Sequence, residues 1–66
     1  MEQTGRAVVH IDGYEYLTDN ATLDRDVVSF TGRMRIRDLT GTRLYDERRL
    51  SHRLRRGEWV DWDHRP

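Results

Sequence analysis

The sequence predicts an all-β fold, a small five-stranded antiparallel meander that forms either an open sheet or a small barrel. Three turn signals divide the chain, at Asp12-Gly13, residues 38–41 and residues 54–57. Between them, apolar and polar residues alternate, most clearly in residues 30–37, as expected for strands with one buried face. The strands are predicted near residues 5–11, 14–19, 27–37, 42–54 and 58–63, and residues 19–26 connect the first hairpin to the rest.

The length and composition of the chain predict one small domain. A domain of 66 residues has a core that contributes only about 3–5 kcal/mol. The absence of cysteine excludes disulfides and thiolate metal sites. We therefore expect a single β domain over residues 1–66, with residues 1–4 and 64–66 as flexible tails. A partner or a second copy would complete its core, and no cofactor is indicated.

The Asp12-Gly13 dipeptide favours a two-residue type I′ turn between the first two strands. Pairing across this turn gives one largely apolar face and one face with complementary charges, and such cross-strand pairs stabilise a sheet. The predicted pairs are Ile11–Tyr14, Val9–Tyr16 and Ala7–Thr18 on the first face, and His10–Glu15, Val8–Leu17 and Arg6–Asp19 on the second.

A second hairpin is predicted at residues 38–41, where Asp38 and Gly41 suit the ends of a three-residue loop. This register places Met34 near Asp46 and Gly32 near Arg48 on the face expected to be buried. Because these pairs fit poorly, Gly32 is a candidate for a bulge that resets the alternation. The favourable predicted pairs are Ile36–Leu44, Phe30–Leu50, Arg33–Glu47 and Arg35–Tyr45.

The third turn, at residues 54–57, would pair the last strand with the fourth strand. The predicted pairs are Arg53–Trp59, His52–Val60, Leu50–Trp62 and Arg49–Asp63. The alternative is an α+β fold with a helix over residues 43–56 that ends at Gly57, since Leu, Arg and Glu favour helices. The apolar residues of this segment do not form one stripe on a helix, which favours the strand.

Nothing in the sequence indicates an enzyme. Ser51 and His52 are adjacent, so on a strand their side chains point to opposite faces, which is the wrong spacing for a nucleophile and its base. Asp61, Asp63 and His64 make only a weak metal-ligand pattern. We therefore predict a protein without catalytic activity.

Arginines alternate along residues 33–37, and all twelve basic residues of the chain are arginine. In the predicted sheet, one face carries arginines together with Tyr45 and Trp59. Arginine, tyrosine and tryptophan are enriched at interface hot spots. We therefore expect a protein-interaction or assembly subunit, such as a small viral or regulatory accessory protein, which binds a partner protein or further copies of itself. The predicted contact residues are Arg33, Arg35, Arg37, Arg43, Tyr45, Arg49, Arg53 and Trp59.

The alternative function is nucleic-acid binding by a small β-barrel that uses the same arginine face. Guanidinium groups neutralise phosphates, and aromatic rings stack with bases. However, the sequence pI is about 6.8, and nine arginines in residues 32–56 are flanked by acidic segments. No segment predicts a membrane span or a secretory signal, so a cytoplasmic location is expected.

Overall fold

The computed structural model describes residues 2–63, which form one open sheet of five antiparallel strands. The strands are β1 Glu2–Ile11, β2 Tyr14–Asp24, β3 Val27–Asp38, β4 Gly41–Arg53 and β5 Trp59–Trp62. Their order across the sheet is β4-β3-β2-β1-β5. The predicted all-β antiparallel fold is confirmed. The alternative helix over residues 43–56 is wrong, because most of this segment is β4.

The β1–β2 hairpin has the predicted register. Asp12 and Gly13 have φ values of 53° and 78°, the left-handed conformation that a type I′ turn requires at both positions. Five of the six predicted pairs, from Ile11–Tyr14 to Ala7–Thr18, are present. Arg6 and Asp19 are not register partners, because the ladder shifts between Gly5 and Ala7, although their side chains form an ion pair at 3.0 Å. The ladder also continues beyond the predicted strand, since residues 2–4 pair with residues 22–24. Residues 2–4, which were predicted as part of the N-terminal tail, belong to β1. Met1 and the predicted C-terminal tail, residues 64–66, lie outside the described residues.

The β3–β4 hairpin differs from its predicted register near the turn. The pairs Phe30–Leu50 and Arg33–Glu47 are present, but Arg35 lies opposite Leu44 instead of Tyr45. One extra β4 residue lies between these two regions, so the turn contains two residues instead of three. The bulge predicted at Gly32 is therefore wrong for this ladder, because the extra residue belongs to Tyr45-Asp46.

The predicted pairing of β5 with β4 is also wrong. Strand β5 pairs with β1, with Val60 opposite Val9 and Trp59 opposite His10. Residues 54–58, which we call the crossover, carry the chain from the β4 edge to the β1 edge. The backbone N–H of Leu54 donates to the Asp26 carbonyl at 2.7 Å, so the crossover starts beside the β2–β3 turn.

The short crossover requires the sheet to be strongly curved. Strand β2 has 11 residues and would be about 35 Å long if it were straight. The five residues of the crossover span less than about 20 Å, yet they connect the turns at the two ends of β2. An extra residue in β2 between Thr18 and Thr22 makes the bulge at which the strand can bend.

The backbones of β2 and β3 approach closely beside this bulge. Gly32 lies opposite Thr18, and a Cβ atom at Gly32 would lie 2.6 Å from the Leu17 carbonyl oxygen. Asn20 fixes the bulge, because its Oδ1 accepts a hydrogen bond from the Thr31 backbone N–H at 2.8 Å. Gly32 therefore does mark an irregularity, but the irregularity lies in the β2–β3 ladder.

Curvature encloses a small apolar core on the inner face of the sheet. Val9 and Val28 are completely buried, and the Phe30 and Tyr16 rings pack at a centroid distance of 5.5 Å. The buried apolar residues are Ala7, Val9, Ile11, Ala21, Val28 and Phe30. In contrast, residues 41–49 of β4 are all exposed, so this end of the edge strand lies outside the core.

Candidate protein-interaction face

The face opposite the core, which we call the outer face, carries two rows of side chains that cross all five strands. Alternation along β1 places Val8 and His10 on this face, since Ala7, Val9 and Ile11 are buried on the other. The pairing registers extend both rows across the sheet. The tryptophan row is Trp59, His10, Glu15, Arg35 and Leu44, and the aspartate row is Asp61, Val8, Leu17, Arg33 and Glu47.

An open hollow lies along the aspartate row. Its lining includes Val8 and Leu17, with Arg33 and Glu47 on one side and Asp61 on the other. Val8 and Leu17 are half-buried, whereas the three charged residues are exposed. None of these three forms an ion pair within 4.0 Å with another residue of the described part of the chain. The hollow therefore combines an apolar floor with three charged side chains that form no ion pair within residues 2–63. Arg6, Asp19 and Asp63, which also line it, are ion-paired.

The tryptophan row is internally paired. The His10 and Trp59 rings stack with centroids 4.0 Å apart and an interplanar angle of 12°, while Trp59 remains 53% exposed. Glu15 accepts a hydrogen bond from Arg35, which holds the pKa of the Glu15 carboxyl below its usual value. Arg37 adds a second cationic group, with its Nη2 3.8 Å from Glu15 Oε2.

Only part of the predicted contact set lies together. Arg33 and Arg35 belong to the two rows, and Arg37 follows them on the same side of β3. Trp59 shares the outer face but lies on the opposite side of β1, away from its predicted neighbour Arg53.

The remaining predicted residues, all on β4, have different surroundings. Arg49 lies opposite Thr31 and has no ion pair in the described region, whereas Arg53 binds both oxygens of Asp26 at 2.8 Å. Arg43 pairs with Ile36, so the bulge places it on the face opposite Arg35, where its Nη2 binds Asp38 at 3.0 Å. Tyr45 lies in the bulge itself and is 44% exposed.

The predicted contact set did not include several outer-face residues, although the predicted register of the first hairpin already placed them on one face. The predicted first hairpin placed His10 beside Glu15 and Val8 beside Leu17. It did not show that this face continues into the face of Arg33 and Arg35. That connection depends on the β2–β3 register, which the long segment between the first two turn signals left undetermined. Asp61 was expected on the arginine face but was not among the predicted contact residues, and its neighbour in the sheet is Val8 of β1.

The crossover is held by Glu58, which fixes β5 beside β1. The Glu58 carboxylate accepts hydrogen bonds from the backbone N–H groups of Asp12 at 2.9 Å and Arg55 at 2.7 Å, and its Oε1 lies 2.8 Å from His52 Nε2. These contacts, led by the Asp12 N–H, lower the pKa of Glu58 to about 2. Arg55 also contacts Asp12 across the same gap.

Comparison with known protein families, curated proteins and solved structures gives no significant match. Residues 2–63 include no helix long and apolar enough to cross a membrane. Within the same residues, no group of three or more His, Asp or Glu side chains is placed to hold a metal ion. His64, which belonged to the weak metal pattern in the sequence, lies outside the described residues.

Proposed function

We propose that this protein is a non-enzymatic protein-interaction module that binds a partner protein, or further copies of itself, through the outer face. The observation that carries the proposal is the composition of the two rows. In the aspartate row, the apolar Val8 and Leu17 are flanked by charges of both signs. In the tryptophan row, the half-exposed Trp59 lies at one edge, and Glu15 and Arg35 lie in the middle. Protein interfaces commonly combine an apolar centre, aromatic and arginine anchors and a polar rim.

Charge neutralisation favours a protein partner over nucleic acid. Arg35 and Arg37 share Glu15, Arg43 binds Asp38, and Arg53 binds Asp26. Phosphate binding gains most from cations that are free to replace counterions. Of the six predicted arginines, only Arg33 and Arg49 have no ion pair within residues 2–63, and Glu47 lies beside both on β4. Nucleic-acid binding therefore remains the second candidate. The proposed cytoplasmic location depends on the sequence alone.

A cross-linking experiment tests the outer face directly. A photoreactive amino acid replaces Leu17 in the hollow, and a matched protein carries it at the exposed Arg56 in the crossover. Both proteins are irradiated in the cells that express them, and adducts are separated by mass. We expect a defined protein adduct for position 17 that is absent for position 56. Equal labelling at both positions, or no adduct at position 17, would overturn the proposal.

A salt series separates the two candidate functions. The protein is sedimented with a mixed pool of single-stranded and duplex oligonucleotides between 50 and 500 mM salt. A protein-binding module should leave the oligonucleotides unbound near physiological salt. Comigration that weakens steeply as salt increases, through counterion release, would instead favour nucleic-acid binding.

A further inference from the structure

We propose that the partner of the outer face is a second copy of this chain, related by a two-fold axis parallel to the strands between β1 and β2. This inference rests on the proposed function, because it takes the outer face as the binding surface. It adds the identity of the partner and the pairing of individual residues. The argument depends on the order of side chains within each row.

Four of the five residues of the aspartate row are complementary to their own reverse, and Glu47 on β4 lies outside this overlap. Along the row, Asp61, Val8, Leu17 and Arg33 occupy the neighbouring strands β5, β1, β2 and β3. Reversing the row about the midpoint of Val8 and Leu17 places Val8 over Leu17 of the second copy, and Asp61 over its Arg33. Within one chain, Asp61 and Arg33 are three strand spacings apart, about 14 Å, and neither forms an ion pair in the described residues.

The same two-fold axis also gives the tryptophan row favourable contacts with the second copy. A two-fold axis parallel to the strands keeps each row opposite its own counterpart, so both rows are reversed about the β1–β2 boundary. His10 then faces Glu15 of the second copy, and Trp59 faces its Arg35. Arginine over an indole is a favourable cation–π pair, and Trp59 is 53% exposed in one chain. Every one of these contacts occurs twice, as required of an isologous interface.

Other positions of the axis are less favourable. Moving it by one strand, to the boundary of β2 and β3, places Leu17 over Arg33 and Val8 over Glu47. Both contacts would remove a charge from water against an apolar side chain, which is costly. Moving it to the boundary of β5 and β1 places Asp61 over Val8, with the same penalty. The β2–β3 boundary would also bring Glu15 over Arg35 of the second copy, but the contacts of the aspartate row favour the axis between β1 and β2.

Charge reversal at Arg33 and Asp61 tests this arrangement. The test uses only the purified protein, because it measures self-association. Arg33→Asp alone gives a homodimer in which two aspartates face each other at each former ion pair, and Asp61→Arg alone gives facing arginines. We expect at least a tenfold weaker self-association for each variant, about 1.4 kcal/mol or more, measured by sedimentation equilibrium. Arg56→Asp, which changes the same charge outside the outer face, should self-associate like the unmodified protein.

Mixing the two variants provides the decisive measurement. A heterodimer of Arg33→Asp with Asp61→Arg contains one original and one reversed ion pair, so it should form at close to the original affinity. Native mass spectrometry resolves this 1:1 complex from both homodimers, and circular dichroism confirms that each variant is folded. The double variant Arg33→Asp/Asp61→Arg should also regain self-association.

The possible outcomes separate this inference from the proposed function. If the unmodified protein stays monomeric, or the mixed variants give no more dimer than either alone, the second-copy inference is wrong. In that case the proposed function stands if the cross-linker at position 17 still captures a different protein. If the cross-linker at position 17 captures nothing, the proposed function fails as well.

Discussion

The Glu58 carboxylate accepts a hydrogen bond from the backbone N–H of Asp12 at 2.9 Å, although the two residues are 46 positions apart in sequence. This bond joins the crossover to the β1–β2 turn. Since Glu58 also binds the Arg55 N–H and His52, one carboxylate organises three segments of chain. Its side chain is only 9% exposed, so water cannot readily replace these contacts.

Replacing this carboxylate should destabilise the fold. In Glu58→Gln, the side-chain NH2 group can no longer accept hydrogen bonds, so at least one of the Asp12 and Arg55 N–H groups loses its acceptor. We expect a lower Tm in thermal unfolding followed by circular dichroism. Glu47→Gln is the matched control, because Glu47 is exposed and makes no ion pair within residues 2–63. Equal Tm values for the two variants would contradict this role of Glu58.

The same carboxylate predicts how stability depends on pH. Its pKa is about 2 in the folded protein, below its ordinary value of 4.5. Because the folded value is lowered, the stabilisation is fully present above about pH 4.5 and is lost as the pH falls towards 2. The lowered pKa of Glu15 acts in the same direction. Urea unfolding between pH 6 and pH 2 should give a steep loss of stability in this range, and Glu58→Gln should make the loss shallower. An unchanged slope would exclude Glu58 as a source.

Adding one methyl group at Gly32 should be destabilising. The new Cβ would lie 2.6 Å from the Leu17 carbonyl oxygen and 3.1 Å from the Thr18 Cβ, so the β2 and β3 backbones would have to separate. We expect Gly32→Ala to cost about 1–3 kcal/mol, the range typical of overpacking. Ser29→Ala, at an exposed β3 position, should cost much less. Chemical denaturation of both variants measures the difference, and similar midpoints would argue against close backbone packing at the bulge.

Loss of one core ring should leave little folded protein. Phe30 is 4% exposed and packs against Tyr16, and replacing a buried phenylalanine with alanine costs about 3–5 kcal/mol. That cost is comparable to the whole contribution of a core in a domain of this size. We expect Phe30→Ala to be largely unfolded at 25 °C by circular dichroism. Leu39→Ala should have no effect, because Leu39 lies fully exposed in the β3–β4 turn.

Local sequence signals predicted the first hairpin from the turn as far as Ala7–Thr18, because Asp12-Gly13 sets both the turn type and the register. They did not predict the register shift beyond this pair. They predicted the second hairpin only as far as Arg33–Glu47, since a bulge at an exposed edge strand changes the register without a strong local signal. The poor fit of Met34 opposite Asp46 did indicate a bulge in this region. The bulge was predicted at Gly32 of β3, whereas the extra residue lies in β4.

The partner of β5 was not predictable from local signals. Val60 and Trp62 could pair with β1, which offers Val9 and Ala7, or with β4, which offers His52 and Leu50 in the predicted register. The choice depends on the bend in β2 and on the Glu58 contacts, which involve residues far apart in sequence. Glu58 itself follows a glycine turn and resembles any exposed acid in the sequence, so its role emerged only from the folded chain.

The pairing of β5 with β1 also restricts the order in which a newly synthesised chain can fold. His10 meets Trp59, and Ala7 meets Trp62, so the first strand acquires its second neighbour only when the ribosome has released residues 59–62. Until then one edge of β1 has no strand beside it, and such an edge is open to pairing with other nascent chains. The three hairpins formed by β1 to β4 can form earlier during synthesis, but closure of the β1 edge has to wait for β5.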